Sequence, residues 1–318
     1  MIRSEVVVIG AGEIGRGWAT LAAARGLAVV LHDVDPRALK WARHDVAARV
    51  ERLVSLGRAA PASAGEGLTN LRTTSDLADA VVQATRVVEA TPEELTPKRE
   101  LFARVEALAP ADALLLSSSS GFHASRLGAL MRRPERLVVA HPLHPVELIP
   151  VVEVVPGPMT DQALVRQTVE FLERLGQLPI VLRKEIEGNA VGRITAAVWR
   201  EAIHLVLDGV LDPGELDRLV ASGPALGWAA AGPHLTYHLA ASDAGIRGFL
   251  DHLLPTFEQW WKALAGWDTL SEAGREELIR RIEGDYGKDI KRLAEERDRV
   301  LGKVGNKVNE LRDRGREQ

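Results

Sequence analysis

The chain has 318 residues, more than one hydrophobic core usually serves, so two domains are expected. Its 40 Lys and Arg against 44 Asp and Glu leave a net charge of −4, without the basic excess that a nucleic-acid partner requires. The absence of cysteine excludes disulfides, thiolate nucleophiles and Cys-based metal sites, and no metal centre is expected. The N-terminus enters an apolar strand without the sections of a signal peptide, and no apolar run reaches the roughly 18 residues of a membrane helix, so a cytoplasmic protein with no membrane partner is expected.

In chain order, short β-branched runs at 5–9, 28–32, 86–89, 113–116, 137–140, 151–155 and 179–182 alternate with helical periodicity, the pattern of an α/β domain with a mostly parallel sheet. After the second run comes a long helix with Leu39, Ala42, Val46, Val50 and Leu53 on one face, ending at Gly57. The stretch RAAPASAGEG, 58–67, is small and aperiodic and reads as a loop. From Gly188 only helical spacing remains, with Val191, Ile194, Val198, Ala202 and Leu205 as the expected buried stripe. The division is therefore a Rossmann-type domain over 1–184 and an all-α domain over 185–318, the last part of which, 271–318, reads as a solvated charged helix.

GAGEIG, with Gly10, Gly12 and Gly15, lies directly between the first strand and a helix carrying Trp18, Leu21 and Ala22. In that context the motif binds a dinucleotide. Gly10 permits the turn, Gly12 lets the backbone approach the pyrophosphate, Gly15 allows helix to pack on strand, and Glu13 and Ile14 open the helix whose N-terminus faces the phosphates. Asp33 ends the second strand, where a carboxylate accepts from the adenosine ribose hydroxyls and repels a 2′-phosphate, favouring NAD over NADP. Arg37, which could serve such a phosphate, reads more simply as a solvated residue of a helix's first turn.

Oxidation of an alcohol by a nicotinamide needs a group to take the hydroxyl proton, and histidine suits this near neutral pH. Of nine histidines, His141 sits at the C-terminal end of a strand, where open α/β sheets place their ligands. Glu153, a carboxylate within the apolar run VVEVV, is its natural partner in a dyad, although a strand-end histidine can equally be a satisfied structural residue. The second domain carries Trp228, His234, Tyr237, His238, Trp260 and Trp261. These suit either a core and subunit interface or an aromatic site for a quaternary ammonium group.

VVEATPEELTPKRELF, SSSSGF, AHPLHPVELIPVVEVVPG and a G-x-x-V-x-R helix start occur in the order and spacing of the 3-hydroxyacyl-CoA dehydrogenase family, which the chain resembles over almost its full length. Pro142, IPVVEVV and GPHLTYHL make it look most like the branch that holds lambda-crystallin, an L-gulonate 3-dehydrogenase, and the L-carnitine dehydrogenases. The resemblance implies His141 as catalytic base, Glu153 as its partner, Ser120 as the hydroxyl that hydrogen-bonds the reacting oxygen, and Glu93 and Lys98 as cofactor-side residues. By residue type alone, the serine run reads as a turn and Glu93 and Lys98 as a solvated helix start.

Two positions depart from the pattern: His144 stands where the family usually has Asn, and Gly192 precedes Arg193 where Asn or Asp is usual. His144, Arg193, Trp228 and Tyr237 are therefore the candidate substrate residues. The implied reaction is NAD-dependent oxidation of a gulonate- or carnitine-like L-3-hydroxy acid, with a homodimer formed through the helical domain. Two alternatives stand beside it: an L-3-hydroxyacyl-CoA dehydrogenase of fatty acid metabolism, and a non-enzymatic, crystallin-like NAD-binding protein. The lysine-dependent 3-hydroxy acid enzymes expect G-x-x-G-x-G-x-x-K, which EGNAVGRI does not offer.

Overall fold

The computed structural model describes the backbone of residues 6–316 and the side chains through residue 305, with that of Lys307; Glu5, expected to open the first strand, and residues 317–318 lie outside it. Contacts divide the chain into two units, residues 1–193 with 301–305, and residues 194–300 with 306–318.

The first unit is built from β1 (Val6–Ile9), α1 (Glu13–Ala24), β2 (Val29–His32), α2 (Pro36–Ser55), α3 (Pro61–Thr69), β3 (Leu71–Thr74), α4 (Leu77–Val81), β4 (Arg86–Glu89), α5 (Leu95–Leu108), β5 (Leu114–Ser117), α6 (Ala124–Leu127), β6 (Leu137–Pro142), β7 (Val151–Pro156), α7 (Gln162–Arg174) and β8 (Leu178–Val181). The eight strands lie in the order β3-β2-β1-β4-β5-β6-β7-β8, and every pairing is parallel except β6 with β7. Strand β1 shows why the fold is layered: Val6 and Val8 pack into one core with α1, α2 and α7, while Val7 and Ile9 enter another with α4, α5 and α6. Both faces are covered, so the strand is apolar throughout rather than alternating.

Helix α2 starts on Asp35, whose carboxylate accepts from the Arg37 N–H, with Pro36 at its first position, and the chain leaves it through Gly57 at φ +70°. The expected stripe of Leu39, Ala42, Val46, Val50 and Leu53 is buried.

Two expectations are corrected here. The stretch 58–67 contains most of α3, and β3 follows it. Pro61 opens α3, and Ala64 and Gly67 are its buried face. A Cβ on Gly67 would stand 1.9 Å from the Ala23 carbonyl oxygen of α1, so the two backbones meet where no side chain intervenes. A packing face made of Ala and Gly carries no hydrophobic period, and strand β3, LRTT at the sheet's edge, buries only Leu71.

The second unit comprises most of α8 (Asn189–Leu207), then α9 (Pro213–Ser222), α10 (Pro224–Leu239), α11 (Gly245–Ala263), α12 (Glu272–Tyr286) and α13 (Ile290–Arg316) apart from its residues 301–305. Its core gathers Ile203, Val206, Leu216 and Leu278. The expected stripe of α8 is thus only partly right: Ala202 and Leu205 pack against this core, whereas Ile194 and Val198 are 61% and 39% exposed. Helix α8 is apolar on more than one side, so periodicity could not select the buried one. Within α10, Gly232 takes φ +71° and breaks the helix before Pro233, which explains the Gly-Pro of GPHLTYHL.

Candidate active site

The glycine turn between β1 and α1 opens a groove of about 1030 Å³ lined by Gly10, Gly12, Glu13, Ile14, His32, Asp33, with Thr91, Pro97 and Arg104 further along. Gly10 has φ +105°, and a Cβ there would lie 2.4 Å from the Ala90 carbonyl; one on Gly15 would lie 1.8 Å from the Gly10 carbonyl. A Cβ on Gly12 meets nothing within 4 Å. That open space, beside the uncapped first turn of α1, fits a pyrophosphate seated on backbone N–H groups. Asp33 Oδ2 accepts from Ala11 N–H at 2.8 Å and Oδ1 from Asp35 N–H at 3.0 Å, so this carboxylate braces the turn.

Glu13 brings a negative charge into this groove, and two arginines answer it. It pairs with Arg16 and Arg49, which also bind Asp45 at 2.6 and 2.7 Å, and its Oε1 lies 3.3 Å from His144 Nε2. Against the upward push of burial, Arg49, His144 and Arg16 hold Glu13 below the ordinary carboxylate value.

His141 belongs to β6 itself and is the direct cross-strand partner of Glu153 on β7. The antiparallel pairing puts both side chains on one face of the sheet, with His141 Nδ1 2.9 Å from Glu153 Oε2. The other oxygen, Oε1, accepts from the Ala190 and Val191 N–H groups, both at 2.9 Å, in the first turn of α8. A carboxylate 2% exposed is thereby saturated, and it receives the favourable end of a helix dipole. With Nδ1–H donated to Glu153, the imidazole keeps Nε2 available as a base.

The four serines 117–120, the first of which ends β5, are not equivalent. Ser117 donates to Glu89 Oε2 at 2.6 Å, Ser118 accepts from Trp18 Nε1 at 2.9 Å, and Ser119 donates to Glu93 Oε1 at 2.5 Å. Ser120 is the exposed one. Glu93 also accepts the Gly121 N–H at 2.8 Å; burial would raise its pKa, but Ser119, Gly121 and Lys98 together lower it. Lys98 is 1% exposed, so the reading of a solvated helix start is overturned for it. Its ammonium lies 2.5 Å from Glu89 Oε1 and 3.4 Å from Glu93 Oε2. Glu89 went unassigned in the sequence, although it gave a signal like that of Glu153: a carboxylate in an apolar strand.

His144 lies in the connection between β6 and β7, and Arg193 is exposed near the end of the first unit. Trp228 and Tyr237 belong to the second unit, where Tyr237 packs tilted against Phe249 and edge-on against Phe257, at 5.0 and 5.6 Å between centroids, and Phe257 packs tilted against Trp260 and Trp261. This aromatic cluster packs on itself.

Residues 5–186 match the NAD-binding domain of 3-hydroxyacyl-CoA dehydrogenase, and residues 188–280 match the C-terminal domain of the same enzyme. The chain belongs to the 3-hydroxyacyl-CoA dehydrogenase family. It is an NAD-dependent dehydrogenase of that family. It is similar to L-carnitine dehydrogenase of Nocardiopsis dassonvillei, 36% identical over 96% of this chain and 92% of the relative, and to that of Pseudomonas aeruginosa, 38% identical over 96% and 94%. Among solved structures it resembles 5-formyl-3-hydroxy-2-methylpyridine 4-carboxylic acid 5-dehydrogenase, an NAD+-dependent dismutase, with TM-score 0.81 and 30% identity over 97% of this chain and 99% of that one. It also resembles 3-hydroxybutyryl-CoA dehydrogenase of Escherichia coli, with TM-score 0.66 and 26% identity over 88% and 57%. Within the described residues no helix is long and apolar enough to cross a membrane.

Proposed function

We propose that this family member oxidises the secondary alcohol of a free, carnitine- or gulonate-like L-3-hydroxy acid with a His141–Glu153 dyad. The observation that carries the reading is the pairing of His141 Nδ1 with a Glu153 saturated by donors. NAD held by Gly10, Gly12, Glu13, Ile14, Gly15 and Asp33, with Glu93 on the nicotinamide side and Lys98, its ammonium buried against Glu89, acting there through Glu93, would supply the acceptor for the hydride leaving the carbinol carbon. His141 Nε2 takes the hydroxyl proton, and Glu153 stabilises the imidazolium that forms. Ser120 donates to the oxygen as charge develops on it.

L-carnitine dehydrogenases that span nearly all of the chain support the free acid. His144 and Arg193 are the groups offered to its carboxylate, and Trp228 and Tyr237 to a quaternary ammonium group, at about 0.5–2 kcal/mol per ring face. Tyr237 packs its ring against Phe249 and Phe257. A CoA thioester is the second reading, favoured by the likeness to the Escherichia coli 3-hydroxybutyryl-CoA enzyme. The proposal also includes a nucleotide domain over 1–184, a helical domain over 185–318, a homodimer and a cytoplasmic location.

The test is NADH production from L-carnitine, L-gulonate, 3-hydroxybutyrate and 3-hydroxybutyryl-CoA at equal concentration. Turnover of a free acid is expected. Preference for the thioester selects the second reading, and turnover of none, with NADH still bound, selects a non-enzymatic NAD-binding protein.

A further inference from the structure

The proposed chemistry gives Glu89 no part, yet Glu89 and Lys98 are the most deeply buried ion pair of the nucleotide unit, their side chains 0% and 1% exposed. A buried ion pair offers little stability over apolar side chains of the same volume, so what it holds in place is the question. It holds a turn. Glu89 Oε2 receives the hydroxyl of Ser117, its cross-strand neighbour on β5, and Oε1 receives Lys98 Nζ together with the Thr91 N–H and hydroxyl, each at 2.7 Å. The ammonium extends to the Thr91 carbonyl at 3.1 Å and to Glu93 Oε2 at 3.4 Å. Glu93 Oε1 then takes the Ser119 hydroxyl and the Gly121 N–H, and Ser119 Oγ accepts the Phe122 N–H at 2.8 Å. The residue between these anchors is Ser120.

We propose that the Glu89–Lys98 pair is a positioning device for Ser120: it fixes Glu93, and Glu93 clamps the turn on both sides of the serine so that its hydroxyl is aimed before substrate arrives. The proposal deepens the reading above and rests on Ser120 as donor to the reacting oxygen. Lys98 and Glu89 act through other groups and touch no substrate. A hydroxyl held within a fraction of an ångström stabilises developing charge without reorganising, and misplacement of about 1 Å costs on the order of 100-fold in rate.

The experiment is a double-mutant cycle in the full chain: Lys98→Met, Ser120→Ala and the combination, each measured for kcat and KM on the alcohol the four-substrate screen selects, and for NADH dissociation by fluorescence. Lys98→Met is expected to lower kcat roughly 10- to 100-fold while the alcohol KM is unchanged. NADH affinity is expected to stay within about threefold, and the double variant to lose no more than Ser120→Ala alone. Losses that multiply, or NADH affinity falling in step with kcat, overturn the positioning role while leaving Ser120 in place. Wild-type turnover in Ser120→Ala overturns the serine's assignment and the proposal with it. Should Lys98→Met fail to fold, Ser119→Ala, which removes one of the two hydrogen bonds by which Glu93 clamps the turn, takes its place in the same cycle and is read by the same outcomes.

Discussion

Glu153 makes three hydrogen bonds, one with His141 and two from backbone N–H groups at the start of α8, which is the partnering expected of the orienting carboxylate proposed above. Replacing His141 by Gln keeps the shape of the site but removes the proposed base, so turnover is expected to fall by about 10² to 10⁴ while NADH affinity, followed by fluorescence, stays near wild type. Asp33→Ala removes the proposed ribose acceptor and the brace on Ala11 N–H together. The ratio of kcat/KM for NAD over NADP should narrow by roughly tenfold or more, the worth of a charge-assisted hydrogen bond, and an unaltered ratio would refute the role. Glu93 sets a pH dependence. Its pKa in the fold lies below the ordinary 4.5, so it contributes stability above that value, and the contribution disappears as pH falls through the lower folded-state pKa. The melting temperatures of wild type and Glu93→Gln should therefore differ by a constant amount between about pH 6 and pH 8 and converge at more acidic pH.

Among the elements, α3 shows how two helices approach when side chains are absent. Gly67 stands against the Ala23 carbonyl, whereas Gly65 on the same helix meets nothing within 4 Å. Urea unfolding should separate them: Gly67→Ala is expected to cost about 1–3 kcal/mol by overpacking. Gly65→Ala should be neutral or gain about 0.4–1 kcal/mol by restricting the unfolded chain. Equal effects at both positions would show that the α1–α3 contact is looser than the backbone spacing implies. Strands β6 and β7 make the complementary point, since one antiparallel pair in a parallel sheet is what sets His141 opposite Glu153.

For the whole molecule, the helices of the second unit leave Trp199, Leu226, Leu239, Trp260 and Trp261 more than half exposed, an apolar surface suited to a second copy of the chain. Sedimentation is expected to give twice the 34.6 kDa of one chain. Leu226→Lys combined with Leu239→Lys, both at exposed positions of α10, should shift it toward the monomer without unfolding it. A wild-type monomer would remove the dimer from the proposal.

What was legible in the sequence is what rests on local rules: the glycine turn, Asp33 at the end of β2, the apolar period of α2, and a lone carboxylate in an apolar strand at Glu153. Periodicity failed where packing uses no large side chains, as in α3, and where a helix is apolar on several sides, as in α8. The remaining decisions needed the tertiary structure, because a hydrogen bond between residues distant in sequence leaves no spacing to read. It alone shows Ser117 and Ser119 tied to Glu89 and Glu93 while Ser120, already named by resemblance, stays exposed; it buries Lys98 between Glu89 and Glu93, links Glu13 to His144 across 131 positions, and turns β7 against β6 so that His141 and Glu153 face each other.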